Sequence, residues 1–176
     1  EPHWLTEITG HLARADVGVV GAKLLYADET IQHAGVVIGL GGIAGHAFRH
    51  YPRRTSHRNN RIALTQRVSC VTGACLFTKR TIFEEAGRLD EQHLKIAFND
   101  VDYCLKVQSR GYSIIWTPLA ELYHLESASR GSDLNADNLQ RWRDEYAFMK
   151  TKWGKALETD PYYSPNLTIR DEDLSL

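Results

Sequence analysis

One stretch limits the choice of fold more than any other: a helix that ends on glycine and runs straight into a strand. Asp100 to Arg110 carries Val101, Cys104, Leu105 and Gln108 on one face, three of them apolar, the 3.6-residue period of a helix packed on one side. Gly111 stops it, since glycine takes the left-handed conformation at a helix end at little steric cost. Tyr112 to Trp116 then reads as a strand before Pro118, and Ala120 to His124 as another. The same punctuation occurs earlier, where a compact helix from Lys79 is stopped by Gly87. Upstream, Pro2 to Arg14 reads as a short helix, with Leu5, Ile8 and Leu12 at helical spacing. Val17 to Ala22 is an apolar β-type run that Lys23 to Tyr26 continues, Ala27 to Thr30 a turn, and Ile31 to Leu40 a strand. Arg67 to Val71 and Ala74 to Thr78 are β-rich, interrupted by Thr72-Gly73. Short strands interleaved with helices put the chain in the α/β class.

The chain has 176 residues, enough for one ordinary domain with a real core. Its 43% hydrophobic and 24% charged residues are a globular composition. A formal net charge of −1 gives no global attraction to nucleic acid or anionic lipid, so no nucleic-acid partner is expected. Basic residues gather between Phe48 and Ile62, which reads either as a solvated surface loop or as a loop that meets an anionic acceptor or a phosphate. Gly39-Leu40-Gly41-Gly42 carries neither GxGxxG nor GKS/T, so a turn or bulge is expected rather than a phosphate loop. Cys70, Cys75 and Cys104 are widely spaced among apolar residues and read as reduced, buried thiols of a cytosolic protein. No apolar run approaches the roughly 18 residues of a membrane span, and no signal peptide is visible.

After Arg130-Gly131 the texture changes. Leu134 to Trp153 is charged and helical, with Leu139, Trp142, Tyr146 and Met149 spaced to pack on the body. Residues 155–176 contain proline and end acidic, which predicts an extended strap or a partly ordered terminus. The expected division is therefore 1–131, a packing helix over 132–154, and a tail over 155–176.

Asn99-Asp100-Val101-Asp102 stands between an apolar run and the helix. On the residues alone, two readings stay open. Asn99 suits an N-cap, Asp100 at the first helical position complements the dipole, and Asp102 at the third can reach back to the cap. Alternatively, a carboxylate at such a spot is a catalytic base at the mouth of a cleft.

From Val17 to Gly131 the chain resembles the C-terminal half of a family 2 inverting glycosyltransferase of the GT-A fold. The resemblance is carried by VGVVGAKLLYADETIQHAG, VTGACLFTKRTIFEEAGRLDE, FNDVDYCLKVQSRGY and WTPLAELYHLESASRG, in the family's order and spacing, over about two thirds of the chain. The tail DPYYSPNL resembles a subgroup of bacterial, rhamnosyltransferase-like enzymes that build surface polysaccharide. The resemblance implies a mixed sheet with flanking helices, with residues 1–131 as the acceptor-side half and the nucleotide-binding half absent. The isolated chain is then expected not to transfer sugar.

The resemblance further implies that Asp100 is the general base. Asn99 stands where the family has a first carboxylate, and Asn99 and Asp102 are grouped with the donor- and acceptor-binding residues. Thr72, Gly73 and Ala74 match the segment that lines the sugar-donor pocket. Trp116 is a candidate to stack on an acceptor sugar or else to pack in the core, and Arg130 to reach the diphosphate or else to be solvated. A divalent cation, Mg or Mn, would be held largely by an Asp-x-Asp motif outside this chain, with His124 as the matching histidine ligand. The implied partners are a nucleoside-diphosphate sugar and a glycan or lipid-linked acceptor. The implied location is cytoplasmic, at the inner face of the plasma membrane if peripheral contact is made, and homodimerisation is left open. The rival class is a non-catalytic binding or scaffold module of the same fold.

Overall fold

A computed structural model describes residues 2–54, 61–125 and 136–172. Its sheet is built around β1 (Val17–Leu25), every residue of which is buried. That is the signature of a strand covered on both faces. β1 pairs in parallel with β7 (Ser113–Tyr123). On its other edge β1 takes two short antiparallel partners, β2 (Ile31–His33) along its C-terminal end and β6 (Leu76–Thr78) along its N-terminal half. The two-residue β5 (Gln66–Arg67) pairs antiparallel with β7. Helix α1 (Trp4–Leu12) lies on one face of this mixed sheet, over Val17, Val20, Ala22, Leu24, Ile115 and Ala120. The larger core fills the other face beneath α2 (Arg80–Glu85), α3 (Asn99–Gln108) and α4 (Ala136–Trp153). The mixed α/β architecture predicted from the sequence is the one observed.

Two glycines set how closely these layers approach. A Cβ on Gly18 would lie 2.5 Å from Val107 Cγ1, and one on Gly21 would lie 2.6 Å from Val71 Cβ. Only a residue without a side chain lets α3 and the irregular segment at Val71 settle on β1.

Several boundaries depart from expectation for identifiable reasons. The strand expected from Ile31 to Leu40 is two strands, β2 and β3 (Val36–Ile38), because Gly35 turns left-handed at φ 96°. β3 pairs with β4 (Ala44–His46) as a hairpin, and Gly39-Leu40-Gly41-Gly42 is the turn it was read to be. The two strands expected around Pro118 are one. β7 loops out between Thr117 and Glu121, which face the consecutive residues Ala22 and Lys23. Pro118 lies in that bulge, so its missing N–H breaks no ladder bond. The face of α4 also differs. Leu139 and Trp142 are each 46% exposed, while Glu145 and Met149 turn inward.

The tail is a strap across the β3–β4 hairpin. The buried Asp160 carboxylate accepts from Ile38 N at 2.8 Å, Gly41 N donates to Ile169 O at 3.0 Å, and Phe48 N donates to Glu172 O at 2.9 Å.

Candidate functional site

The Asp100 turn is entered through an uncommon backbone. α3 begins at Asn99, and the residue ahead of it, Phe98, sits in the left-handed region at φ 61° and ψ 5° with no side-chain cap. A bulky residue there is rare. Asn99 is therefore the first helical residue and not the cap; its Nδ2 donates to Ile96 O at 3.4 Å. Asp100 falls at the second position. Its Oδ1 accepts from Val101 N at 2.8 Å and its Oδ2 from Gly73 N at 2.7 Å. The carboxylate is half-buried, and the Gly73-Ala74 backbone beside it is exposed.

Thr72, Gly73 and Ala74 make a wall against this carboxylate. Thr72 Oγ1 accepts from Ala74 N at 3.3 Å and closes a one-turn 3-10 helix. A Cβ on Gly73 would sit 3.4 Å from Asp100 Cβ and 3.8 Å from Asn99 Oδ1. Five residues singled out from sequence (Thr72, Gly73, Ala74, Asn99 and Asp100) thus come together. Behind the wall lies His33, fully buried, whose Nε2 accepts from Thr72 N at 3.4 Å. With Nε2 accepting, Nδ1 carries the proton and donates to His46 Nδ1 at 3.2 Å. Burial, and then the neighbouring His46, hold the His33 pKa well below the usual histidine value. The His33–His46 pair was not read from the sequence. His46 and His50 do stand four apart, but His50 stacks on Tyr26 instead, at 4.9 Å.

Asp102 has a different fate from the one expected. It sits at the fourth helical position, too far along to return to the cap, and is fully buried. Its Oδ1 receives Lys152 Nζ at 2.7 Å and Trp153 Nε1 at 2.8 Å, and its Oδ2 faces Lys106 Nζ at 3.1 Å. It ties α3 to α4 and has no surface for a sugar. Trp116 is likewise fully buried in the main core and cannot stack on an acceptor, so the core alternative is the one observed. Arg130 lies outside the described residues.

One residue that sequence reasoning missed supports the turn from below. Glu145 of α4, 2% exposed, accepts from three consecutive amides, Lys95 N at 3.2 Å, Ile96 N at 3.3 Å and Ala97 N at 2.6 Å. The available signal was a carboxylate three residues after Trp142 and four before Met149, on the stripe expected to be apolar.

His124 follows β7 at the C-terminal end of the parallel pair, its amide donating to Leu25 O at 3.0 Å. Open α/β sheets place ligands at such strand ends. Its Nδ1 meets the Gln32 amide, with Oε1 at 3.1 Å and Nε2 at 2.7 Å. Gln32 is the extra residue of a bulge in β2, where Leu24 faces His33 and Leu25 faces Ile31. Consecutive β2 residues therefore serve the two parts of the site, Gln32 reaching His124 and His33 reaching the Thr72 wall. The strand ends are braced by ions. Buried Lys23 pairs with Glu121 at 3.1 Å, and Arg53 bridges Glu121 and Glu29. Arg53, from the basic stretch read as solvated or acceptor-facing, is thus engaged internally, and residues 55–60 of that stretch lie outside the described residues.

Among the described residues no three His, Cys, Asp or Glu side chains gather in a metal-binding group. His124 fits a single ligand role. That role requires Gln32 to turn Oε1, at 3.1 Å, rather than Nε2, at 2.7 Å, to Nδ1–H, which would leave the lone pair a cation needs on Nε2. No described helix is long and apolar enough to cross a membrane.

The chain is 49% identical over 175 residues to the uncharacterized protein y4gI of Sinorhizobium fredii, covering 99% of the chain and 19% of that protein. It is 36% identical over 177 residues to the O-antigen biosynthesis protein RfbC of Myxococcus xanthus, covering the whole chain and 14% of that protein. It is 25% identical over 122 residues to an N-acetylglucosaminyl-diphospho-decaprenol L-rhamnosyltransferase of Mycobacterium tuberculosis, covering 67% of the chain and 39% of that protein. Of these relatives, one is named for O-antigen biosynthesis and one for rhamnosyl transfer. The chain spans less than a fifth of the length of the first two curated relatives. No protein-family model matches it.

Proposed function

We propose that this segment is the acceptor-side half of a GT-A, family 2 sugar transferase within a longer protein, and that Asp100 is its general base. The observation that supports this most is the placement of the Asp100 carboxylate. It is half-buried at an exposed glycine wall, with Gly73 N–H fixing Oδ2 at 2.7 Å. Each carboxylate oxygen has two acceptor sites, so one hydrogen bond apiece leaves room for an acceptor hydroxyl. In the proposed reaction the acceptor oxygen attacks the anomeric carbon as its O–H proton passes to Asp100. The bond from that carbon to the diphosphate oxygen breaks on the opposite face, inverting the centre. Thr72, Gly73 and Ala74 would line the donor sugar, with backbone rather than side chains at the closest approach. A divalent cation, Mg or Mn, would neutralise the leaving diphosphate, with His124 as one ligand and the rest of the longer protein supplying the others.

The substrates proposed are a nucleoside-diphosphate sugar and a glycan or lipid-linked acceptor of surface polysaccharide. An L-rhamnosyl donor heads the panel because one relative's name carries that sugar. In the full-length protein, Asp100→Asn is expected to lower transfer on the order of 10^4-fold, leaving a measurable residue, with donor binding within about twofold. Equal loss of both would assign the carboxylate to helix support instead. The 176-residue segment alone is expected to bind a donor weakly in calorimetry with Mn present, and low-micromolar binding would overturn the half-site reading. A second reading, a non-catalytic module, is favoured by Asn99, which brings an uncharged amide to the turn. It predicts no nucleoside-diphosphate release from any donor.

A further inference from the structure

We infer that Glu145 is the positioning residue for Asp100, a role that rests on Asp100 being the base. The segment 95–98 has to deliver Asp100 to the Gly73 wall, and it does so through a left-handed Phe98. A phenylalanine does not hold that conformation by preference, so something outside the segment has to hold it. Glu145 does so. Its carboxylate draws Lys95 N, Ile96 N and Ala97 N to one point, folding three successive amides into a concave nest. Arg141 Nε approaches the same carboxylate at 3.8 Å. Helix α4 also reaches past Phe98 on both sides. The Phe98 ring packs against Trp142 at 6.1 Å and Tyr146 at 6.4 Å. Lys152 and Trp153, about two helical turns beyond Glu145, hold Asp102. Residues 95–97 and 102 are thus bolted to one helix, and between them the Asp100 side chain is turned toward Gly73.

A carboxylate that is 2% exposed is an expensive way to fill space. An apolar residue at 145 would pack the same stripe but would leave three amides unpaired and the turn free to relax. Reacting groups tolerate little relaxation, since a displacement of about 1 Å costs roughly a hundredfold in rate. Glu145→Gln keeps the shape of the side chain, but its NH2 group faces an N–H, so all three amides cannot be satisfied.

The test uses the full-length protein and a panel of UDP-, GDP- and dTDP-sugars including dTDP-L-rhamnose, with nucleoside diphosphate release as the readout. Glu145→Gln is expected to lower kcat by roughly 10- to 100-fold with donor KM within about twofold. It is also expected to add no further loss in the Asp100→Asn background, because it acts through that carboxylate. Independently of turnover, the Gly73 amide, whose acceptor is Asp100 Oδ2, should exchange its proton at least about tenfold faster in Glu145→Gln. A folded Glu145→Gln protein with unchanged Gly73 protection, or losses that multiply in the double variant, overturns the inference. Should Glu145→Gln not fold, Glu145→Asp, which keeps the charge one methylene short, carries the same readouts and is expected to show smaller changes of the same sign. If Asp100→Asn transfers sugar normally the base reading fails by itself, while the Gly73 exchange still reports whether Glu145 sets the carboxylate.

Discussion

Asp100 and Asp102 share one helical turn and live in two different molecules, so to speak: one at the rim, one in the core. Asp100 rests on backbone amides of the Gly73 wall and its own helix start, with solvent beside it. Asp102 is sealed, with two lysines and an indole gathered on it. Two residues of helix turn a side chain through about 200°, enough to send one carboxylate to the wall and the other to α4. A carboxylate held by amides at an edge keeps acceptor positions beside solvent, whereas one locked between lysines ties α3 to α4.

The sharpest way to break this division is Asp100→Asn, expected to lower transfer on the order of 10^4-fold while changing unfolding free energy by less than about 1 kcal/mol. A large stability loss in urea melts would move Asp100 to the core side. Asp102→Asn should do the reverse. It removes the buried charge that Lys106 and Lys152 share, and about 3 kcal/mol of stability is expected to go, the low end for a broken buried pair because both lysines reach solvent. Unchanged melting would mean the hub is incidental. His33 probes the boundary, since it is buried yet ends on the Thr72 amide of the rim. Its folded pKa is depressed, so the unfolded chain binds the proton first as pH falls. The contribution is fully present above about pH 6.5 and fades below it by up to about 1.4 kcal/mol per pH unit. Urea midpoints between pH 7.5 and 5 measure it, and His33→Gln should flatten the profile. The smallest effect sharpens the metal proposal. His124→Ala is expected to raise the Mn concentration for half-maximal turnover roughly tenfold, and Gln32→Leu to shift it the same way.

What the sequence disclosed follows the same line between local and distant causes. The Gly39–Gly42 turn was legible because glycine itself supplies the positive φ at Gly39, Gly41 and Gly42. The left-handed Phe98 was not, because Glu145 and the α4 aromatics impose it from about fifty residues away. Reading Asn99 as a cap applied a sound local rule to a helix whose start is set by tertiary contacts. The α/β class, β1 and α3 came through because hydrophobic period decides them. The single β7 did not, since Pro118 marks a break in a local reading and a bulge in the folded sheet. Of the candidate site, Thr72 to Ala74 and Asp100 were named through resemblance and lie together in the fold, whereas the histidine pair depends on a hairpin that brings His46 back to His33.

The parallel pairing of β1 with β7 also bears on how the chain comes off the ribosome. The first strand at the centre of the sheet waits for a partner about a hundred residues later. At synthesis rates of roughly 5 to 20 residues per second this is a delay of about 5 to 20 s. During that interval β1 has only short antiparallel neighbours along part of one edge. Nascent chains paused before residue 113 should therefore be bound by holding chaperones, and those released past residue 123 should not.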